Sequence, residues 1–210
     1  MSMPAALLSH RPFCAVRRCN TAGTFEHHVE WVGPQHRERA SLQEFIADAF
    51  LKMHGAEVRH FCDMLVGCRN SDGQWIAALG FSLAGDGATF LEQYLNGPLE
   101  SEIACRTSRI VARDQIAEVG NLAATHAGAA RVLNAGMTQY LRRQGLVWVA
   151  FTATRGLLNS FTRLRLEPTV LADADPTRLP DAGKSWGSYY ETRPQVMFGD
   201  IRSGYARLAE

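Results

Sequence analysis

Ile116-Ala117-Glu118-Val119-Gly120-Asn121-Leu122-Ala123-Ala124-Thr125-His126-Ala127-Gly128-Ala129-Ala130 reads as a strand that turns through a glycine into a helix running towards Gly145. Val132, Leu133, Met137, Tyr140 and Leu141 fall on one face at helical spacing, Arg142 and Arg143 occupy the last turn, and Gly145 closes it. The first turn of a helix has backbone N–H groups with no intrahelical partner, and the helix dipole adds partial positive charge there. Such a turn suits an anion. Gly128 and the small Ala129 and Ala130 let a bulky diphosphate approach the main chain. The same pattern also fits a plain strand and helix joined by a tight glycine turn.

Upstream, His27-His28-Val29-Glu30-Trp31-Val32 alternates as a short strand before Gly33-Pro34. Ser41-Leu42-Gln43-Glu44 has the form of a capping box, and Leu42, Phe45, Ile46, Ala49, Phe50 and Met53 make an apolar stripe ending at Gly55. Residues 61–68 and 75–83 read as a hairpin around Asn70-Ser71-Asp72-Gly73. A short strand or turn near Phe90 precedes a helix from Pro98, because proline and acidic residues suit a first helical turn. Residues 116–124 and 146–154 are buried strands flanking the central helix, a parallel pair with a right-handed crossover. Residues 156–166 form another helix, and 169–172, Tyr189-Tyr190 and 196–198 are late strands. Residues 1–26 lack periodicity and read as a loosely ordered lead-in, leaving 27–210 as a single domain.

The 210 residues, 46% hydrophobic and 20% charged, describe an ordinary globular chain whose size needs neither disulfides nor metal for stability. A formal net charge of +1 without a basic cluster argues against nucleic acid as a partner. Cys14, Cys19, Cys62, Cys68 and Cys105 lack a Cys-x-x-Cys pair and zinc-like His spacing, so they read as thiols in a reducing compartment, and no metal is expected. Ala5-Ala6-Leu7-Leu8 is too short for a secretory core, and no run approaches the ~20 apolar residues of a membrane span. The expectation is a cytoplasmic protein without stable membrane insertion.

The element order is that of an α/β fold with a mixed sheet. With an anion turn after the fourth strand, it resembles the GNAT superfamily of acyl-coenzyme A N-acyltransferases. More closely the chain resembles the thermostable hemolysin family, related in fold to GNAT proteins and acyl-homoserine-lactone synthases. The resemblance rests on the joint order of Phe90-Leu91-Glu92-Gln93-Tyr94-Leu95, Glu118-Val119-Gly120-Asn121-Leu122-Ala123, Trp148-Val149-Ala150-Phe151-Thr152-Ala153-Thr154 and Trp186-Gly187-Ser188-Tyr189-Tyr190, within about residues 39–201. It implies a mostly antiparallel central sheet with a parallel pair at the cofactor cleft and helices on both faces. It also implies transfer of an acyl group from coenzyme A or a carrier-protein phosphopantetheine to a small amine, by direct attack.

Glu118 lies on the strand that, in the resembled superfamily, pairs with pantetheine and often holds a carboxylate general base. Strict alternation puts Val119, Asn121 and Ala123 opposite Glu118, Gly120 and Leu122, so Glu118 and Asn121 share a face only if the strand bulges, for which Gly120 is suited. Glu118, Asn121 and Glu92 are the candidate catalytic residues. Glu92 has charge with which to hold a cationic acceptor, and Gln93 and Tyr94 stand beside it as substrate contacts. The resemblance assigns the donor to Leu122, Ala123, His126, Gly128, Ala129, Ala130, Arg131 and Asn159. The superfamily's phosphate signature aligns with residues 125–130 but begins here with Thr125, and His126 and Arg131 supply compensating charge. Phe161 stands where a general-acid Tyr is common, leaving Asn159 or Tyr189-Tyr190 to substitute, or no acid at all. Trp148 and Trp186 read as core or cleft wall. The family name carries a rival implication, a membrane-active hemolysin, and the departures at Thr125 and Phe161 also allow a binding module without catalysis.

Overall fold

The computed structural model describes residues 28–163 and 165–209; the lead-in expected over 1–26 lies outside the described residues. The strands are β1 (His28–Val32), β2 (Met64–Arg69), β3 (Trp75–Leu83), β4 (Ile116–Ala124), β5 (Trp148–Ala153), β6 (Thr169–Asp173) and β7 (Gln195–Asp200). The α-helices are α1 (Arg39–His54), α2 (Leu99–Thr107), α3 (Ala127–Arg143), α4 (Arg155–Arg163) and α5 (Ile201–Ala209). One seven-stranded sheet has the order β1-β2-β3-β4-β5-β7-β6. Every neighbouring pair is antiparallel except β4 and β5, which run parallel on either side of the α3 crossover.

Two apolar layers hold the helices to the sheet. On one face, Leu42 and Ile46 of α1 pack with Cys62, Leu65, Ala78 and Ala123, while Leu99 and Ile103 of α2 pack with Ile116, Ala150 and Phe198. On the other, Ala129, Leu133, Met137 and Leu141 of α3 pack with Leu79, Phe81, Ala117 and Ile201. Each large apolar side chain so buried contributes roughly 1.5–3 kcal/mol against exposure, which makes these stripes the dominant force placing the helices.

Several local expectations are corrected. The Ser41 capping box does not form: α1 begins at Arg39, whose guanidinium donates to the Cys62 and Asp63 carbonyls at 2.8 Å each. Ser41 Oγ instead accepts from Trp75 Nε1 at 3.0 Å. Met53 is 72% exposed and Val132 42% exposed, so both leave the stripes assigned to them. Tyr189-Tyr190 is a 3-10 turn, Tyr189–Thr192, rather than a strand. Just before it, Gly187 lies against the end of α1 so closely that a Cβ there would run into the His54 carbonyl oxygen.

Candidate active site

Parallel pairing of β4 with β5 covers Ile116–Val119 against Trp148–Phe151 and stops there. Beyond it β5 continues with β7, while Gly120, Ala123 and Ala124 stay paired to β3. The strands therefore splay. The register between β3 and β4 shifts by one residue between Ala78 and Gly80, and Asn121 takes a left-handed φ of 53°. This is a bulge one residue beyond the expected Gly120. Asparagine tolerates that backbone, and its amide fixes it: Oδ1 accepts from the Cys62 N–H at 2.8 Å and Nδ2 donates to the His60 carbonyl at 3.1 Å.

The extra residue changes which side chains share a face. Ala117, Val119, Leu122 and Ala124 all pack on the α3 side, whereas Ala123 joins the α1 side that strict alternation denied it. Glu118 and Asn121 both line a cleft of about 1090 Å³ that opens at the splay.

Glu118 is 4% exposed, and its Oε2 accepts from the Phe90 N–H at 2.8 Å. Burial pushes its carboxyl up to about 7, only partly offset by the N–H groups of Phe90 and Leu91, with the charges of Glu92 and Asp63 adding to the rise. Cys62 nearby is a protonated thiol, pushed up to about 12 by burial and by the Glu118 charge. Glu92 is the opposite case. Burial opposes its charge, but Arg113 and the N–H groups of Thr89 and Leu99 outweigh it and hold the carboxyl at about 2.

The candidate residues thus divide. Glu118, Asn121, Leu122, Ala123, Ala130, Arg131 and Tyr94 line the cleft. Glu92 does not: Arg113 donates to both its oxygens at 2.5 and 2.9 Å, and it also accepts from Thr89 N–H and Leu99 N–H at 2.9 Å each, so no acceptor-facing oxygen remains to hold a substrate cation. Gln93 is likewise turned inward, its Nε2 donating to the Phe90 carbonyl at 3.2 Å. His126 caps α3 through Nδ1, which accepts from the Ala129 N–H at 3.2 Å, and Ala129 itself is fully buried against the sheet. That cap leaves the N–H groups of Ala127 and Gly128 without an intrahelical partner, and of this turn Ala127 and Ala130 line the cleft whereas His126, Gly128 and Ala129 do not. Asn159 is exposed on α4 and away from the cleft, while Phe161 lines it, packed edge-on to Phe151 at 5.3 Å. Sequence reasoning missed Phe50 and His54 as cleft residues, because the helical stripe explained one and the helix end the other. Among the described residues no cluster of His, Cys, Asp and Glu is arranged to hold a metal ion.

The family model for thermostable hemolysin matches residues 32–205. The chain belongs to that family. No curated protein gives a significant match. Among solved structures, the chain is similar to FeeM, an N-acyl amino acid synthase from uncultured soil microbes, at 11% identity and TM-score 0.59, covering 89% of this chain and 96% of that one. It is similar to TofI in a ternary complex with an inhibitor and MTA at 14% identity and TM-score 0.58, covering 87% and 96%. It is also similar to BjaI, a CoA-dependent acyl-homoserine lactone synthase with SAM and isopentyl-CoA, at 14% identity and TM-score 0.57, covering 86% of each chain. Identities this low establish the fold, which is GNAT-like as the sequence led us to expect.

Proposed function

We propose that this protein is an acyltransferase that moves an acyl group from coenzyme A or a phosphopantetheine carrier to a small amine by direct attack, with Glu118 as general base. One observation carries the reading: a buried carboxyl poised at about 7 stands where β4 and β5 separate. At neutral pH such a group divides between its charged and neutral forms, so it can take a proton from an incoming ammonium and release it again. Asn121 supports the site by positioning, since its amide holds the bulge and is spent on His60 and Cys62.

The donor, when bound, supplies a thioester carbonyl and a thiolate that leaves without help, so Phe161 in place of a Tyr is no obstacle. The gap beside Gly120–Ala124 offers main-chain groups to an extended pantetheine, as an added strand would use them. At the first turn of α3, the cleft-lining Ala127 and Arg131 offer a backbone N–H and a guanidinium to a diphosphate, with the Gly128 N–H beside them. The named activities of the similar structures, acyl transfer in FeeM and BjaI, agree with this use of the cleft. Cytoplasmic location follows from the donor class and is part of the same proposal.

The test is thiol release from a panel of acyl-coenzyme A and acyl carrier donors with mixed amines, comparing the parent with Glu118→Gln. Donor-dependent release that Glu118→Gln lowers by about 10² to 10⁴ is expected. Equal release by both proteins sinks the assignment.

A further inference from the structure

The end of the cleft next to Glu118 is walled by aromatic rings from three separate parts of the chain. Phe50 and His54 come from the last turns of α1, Phe90 from the 3-10 turn Phe90–Tyr94, and Trp186 and Tyr189 from the loop before β7; all five line the cleft and are half-buried. Trp186 lies 5.3 Å from Tyr189 and 6.0 Å from Phe90 between ring centroids, and Tyr189 meets His54 edge-on at 5.3 Å. The spacing is that of rings packed edge and face against one another, so that they form a continuous aromatic wall at this end of the cleft.

The loop is held in place before any ligand arrives. Gly187 seats it on the α1 terminus, the Ser188 N–H donates to the His54 carbonyl at 2.8 Å, and the Glu57 N–H donates to the Ser185 carbonyl at 2.6 Å. On the inner side the Tyr94 and Tyr190 hydroxyls are hydrogen-bonded at 2.6 Å. Ordering costs are therefore met in the free protein, which favours a rigid flat ligand.

Charge is distributed unevenly along the cleft. The arginines of its lining, Arg106, Arg131, Arg163, Arg165 and Arg207, belong to α2, α3, α4 with the segment after it, and α5. Among the described lining residues contributed by α1, the 3-10 turn, β4 and the aromatic loop, Glu118 is the one carboxylate, and no lysine or arginine accompanies it. His54 is drawn below its ordinary value by burial and Tyr189 is pushed up by burial, so at neutral pH both rings are uncharged. Such a wall attracts an ammonium through ring faces and offers a carboxylate no partner.

Resting on the acyl-transfer reading, we infer that the acceptor is a primary amine bearing an aromatic ring and no carboxylate, its ring among Phe50, His54, Phe90, Trp186 and Tyr189 and its ammonium facing Glu118. In transfer, the amine nitrogen bonds to the acyl carbon as the carbon–sulfur bond breaks. Two protons leave the nitrogen: one passes through Glu118 to water, the other ends on the departing thiolate.

Isothermal titration of the full chain at about pH 8, where Glu118 is ionised, compares phenethylamine, hexylamine and phenylalanine. Phenethylamine is expected to bind about tenfold tighter than either of the others. Phe50→Leu and Tyr189→Leu, each checked for a cooperative melt, are expected to reduce that preference at least about threefold. Hexylamine binding as tightly as phenethylamine, phenylalanine binding more tightly, or no phenethylamine binding at all overturns the inference. Failure of the underlying reading looks different. Phenethylamine preference without acyl transfer from any donor supports the aryl-amine site and removes the acyltransferase, whereas transfer to aliphatic amines without aryl preference keeps the enzyme and removes the inference.

Discussion

Glu118 and Glu92 show how environment divides two identical side chains. Burial dominates at Glu118 and raises it to about 7; Arg113 and two N–H donors dominate at Glu92 and lower it to about 2. The rate constant kcat/KM should therefore rise with pH through about 7 to a plateau, read from initial rates across buffers, and Glu118→Gln should flatten that limb. Stability moves the other way. Glu118 titrates near 4.5 when unfolded and near 7 when folded, so between those values the folded chain keeps a proton that the unfolded chain releases, and stability falls as pH rises through the window. The loss is about 3 kcal/mol at most, and Glu118→Gln, which keeps an acceptor for the Phe90 N–H, should melt above the parent at about pH 8 and close to it below about pH 4. For Glu92 the folded value is depressed, so its contribution is present above 4.5 and lost as pH falls towards 2. Glu92→Gln should cost about 1–3 kcal/mol in neutral denaturant titrations while sparing the amine preference. From sequence Glu118 was the candidate base and Glu92 the candidate grip on a cationic acceptor, and the second reading failed because the Arg113 that captures Glu92 is 21 positions away.

At the scale of elements, β4 and α3 were legible at their core and less so at their joints. Periodicity placed β4 at its observed bounds and the α3 stripe on the sheet, since burial of a face is written in residue spacing. The bulge was foreseen beside Gly120 but sits on Asn121, whose partners at Cys62 and His60 are supplied by a distant loop that no local pattern reveals. The α3 turn was read as an open anion site, yet His126 takes the Ala129 N–H. Gly128→Asp tests what remains. Gly128 is exposed, and a Cβ there would stand 3.2 Å from His126 Nδ1, a contact a small shift of that ring relieves. A carboxylate in the first turn favours the dipole by about 0.3–1 kcal/mol, so the empty protein should melt near the parent temperature. Coenzyme A should raise the parent's melting temperature by mass action and leave the variant's nearly unmoved. Equal shifts in both would make the turn a structural link alone. Gly187→Ala bears on the other joint: its Cβ meets the His54 carbonyl, so the aromatic loop must retreat. A tenfold or so loss of phenethylamine affinity with donor binding intact is expected in the same titrations.

The whole molecule bears on the family's two implications. The order of strands and helices was readable because each element carries its own period, and the joint order of four motifs pointed to a GNAT-like sheet that the structure has. The shape of the cleft was not readable, since it arises where β4, β5, α1 and a late loop meet. Among the described residues the large exposed apolar side chains, Leu51, Met53, Ile110, Val132 and Val170, are scattered over α1, the segment after α2, α3 and β6, as single exposed apolar residues commonly are on globular chains. No helix among the described residues is long and apolar enough to cross a membrane. The cleft around the buried Glu118 carboxyl carries its aromatic rings at one end and its arginines at the other. Purified protein at micromolar concentration should therefore release no trapped dye from neutral or anionic lipid vesicles, with or without an acyl donor, measured beside a known pore former. If leakage appears only when donor and amine are both supplied, the acylated product is the membrane-active species and the enzyme reading stands. Leakage by the protein alone, undiminished in Glu118→Gln, would place the hemolytic activity in the polypeptide and displace acyl transfer as the reason for this cleft.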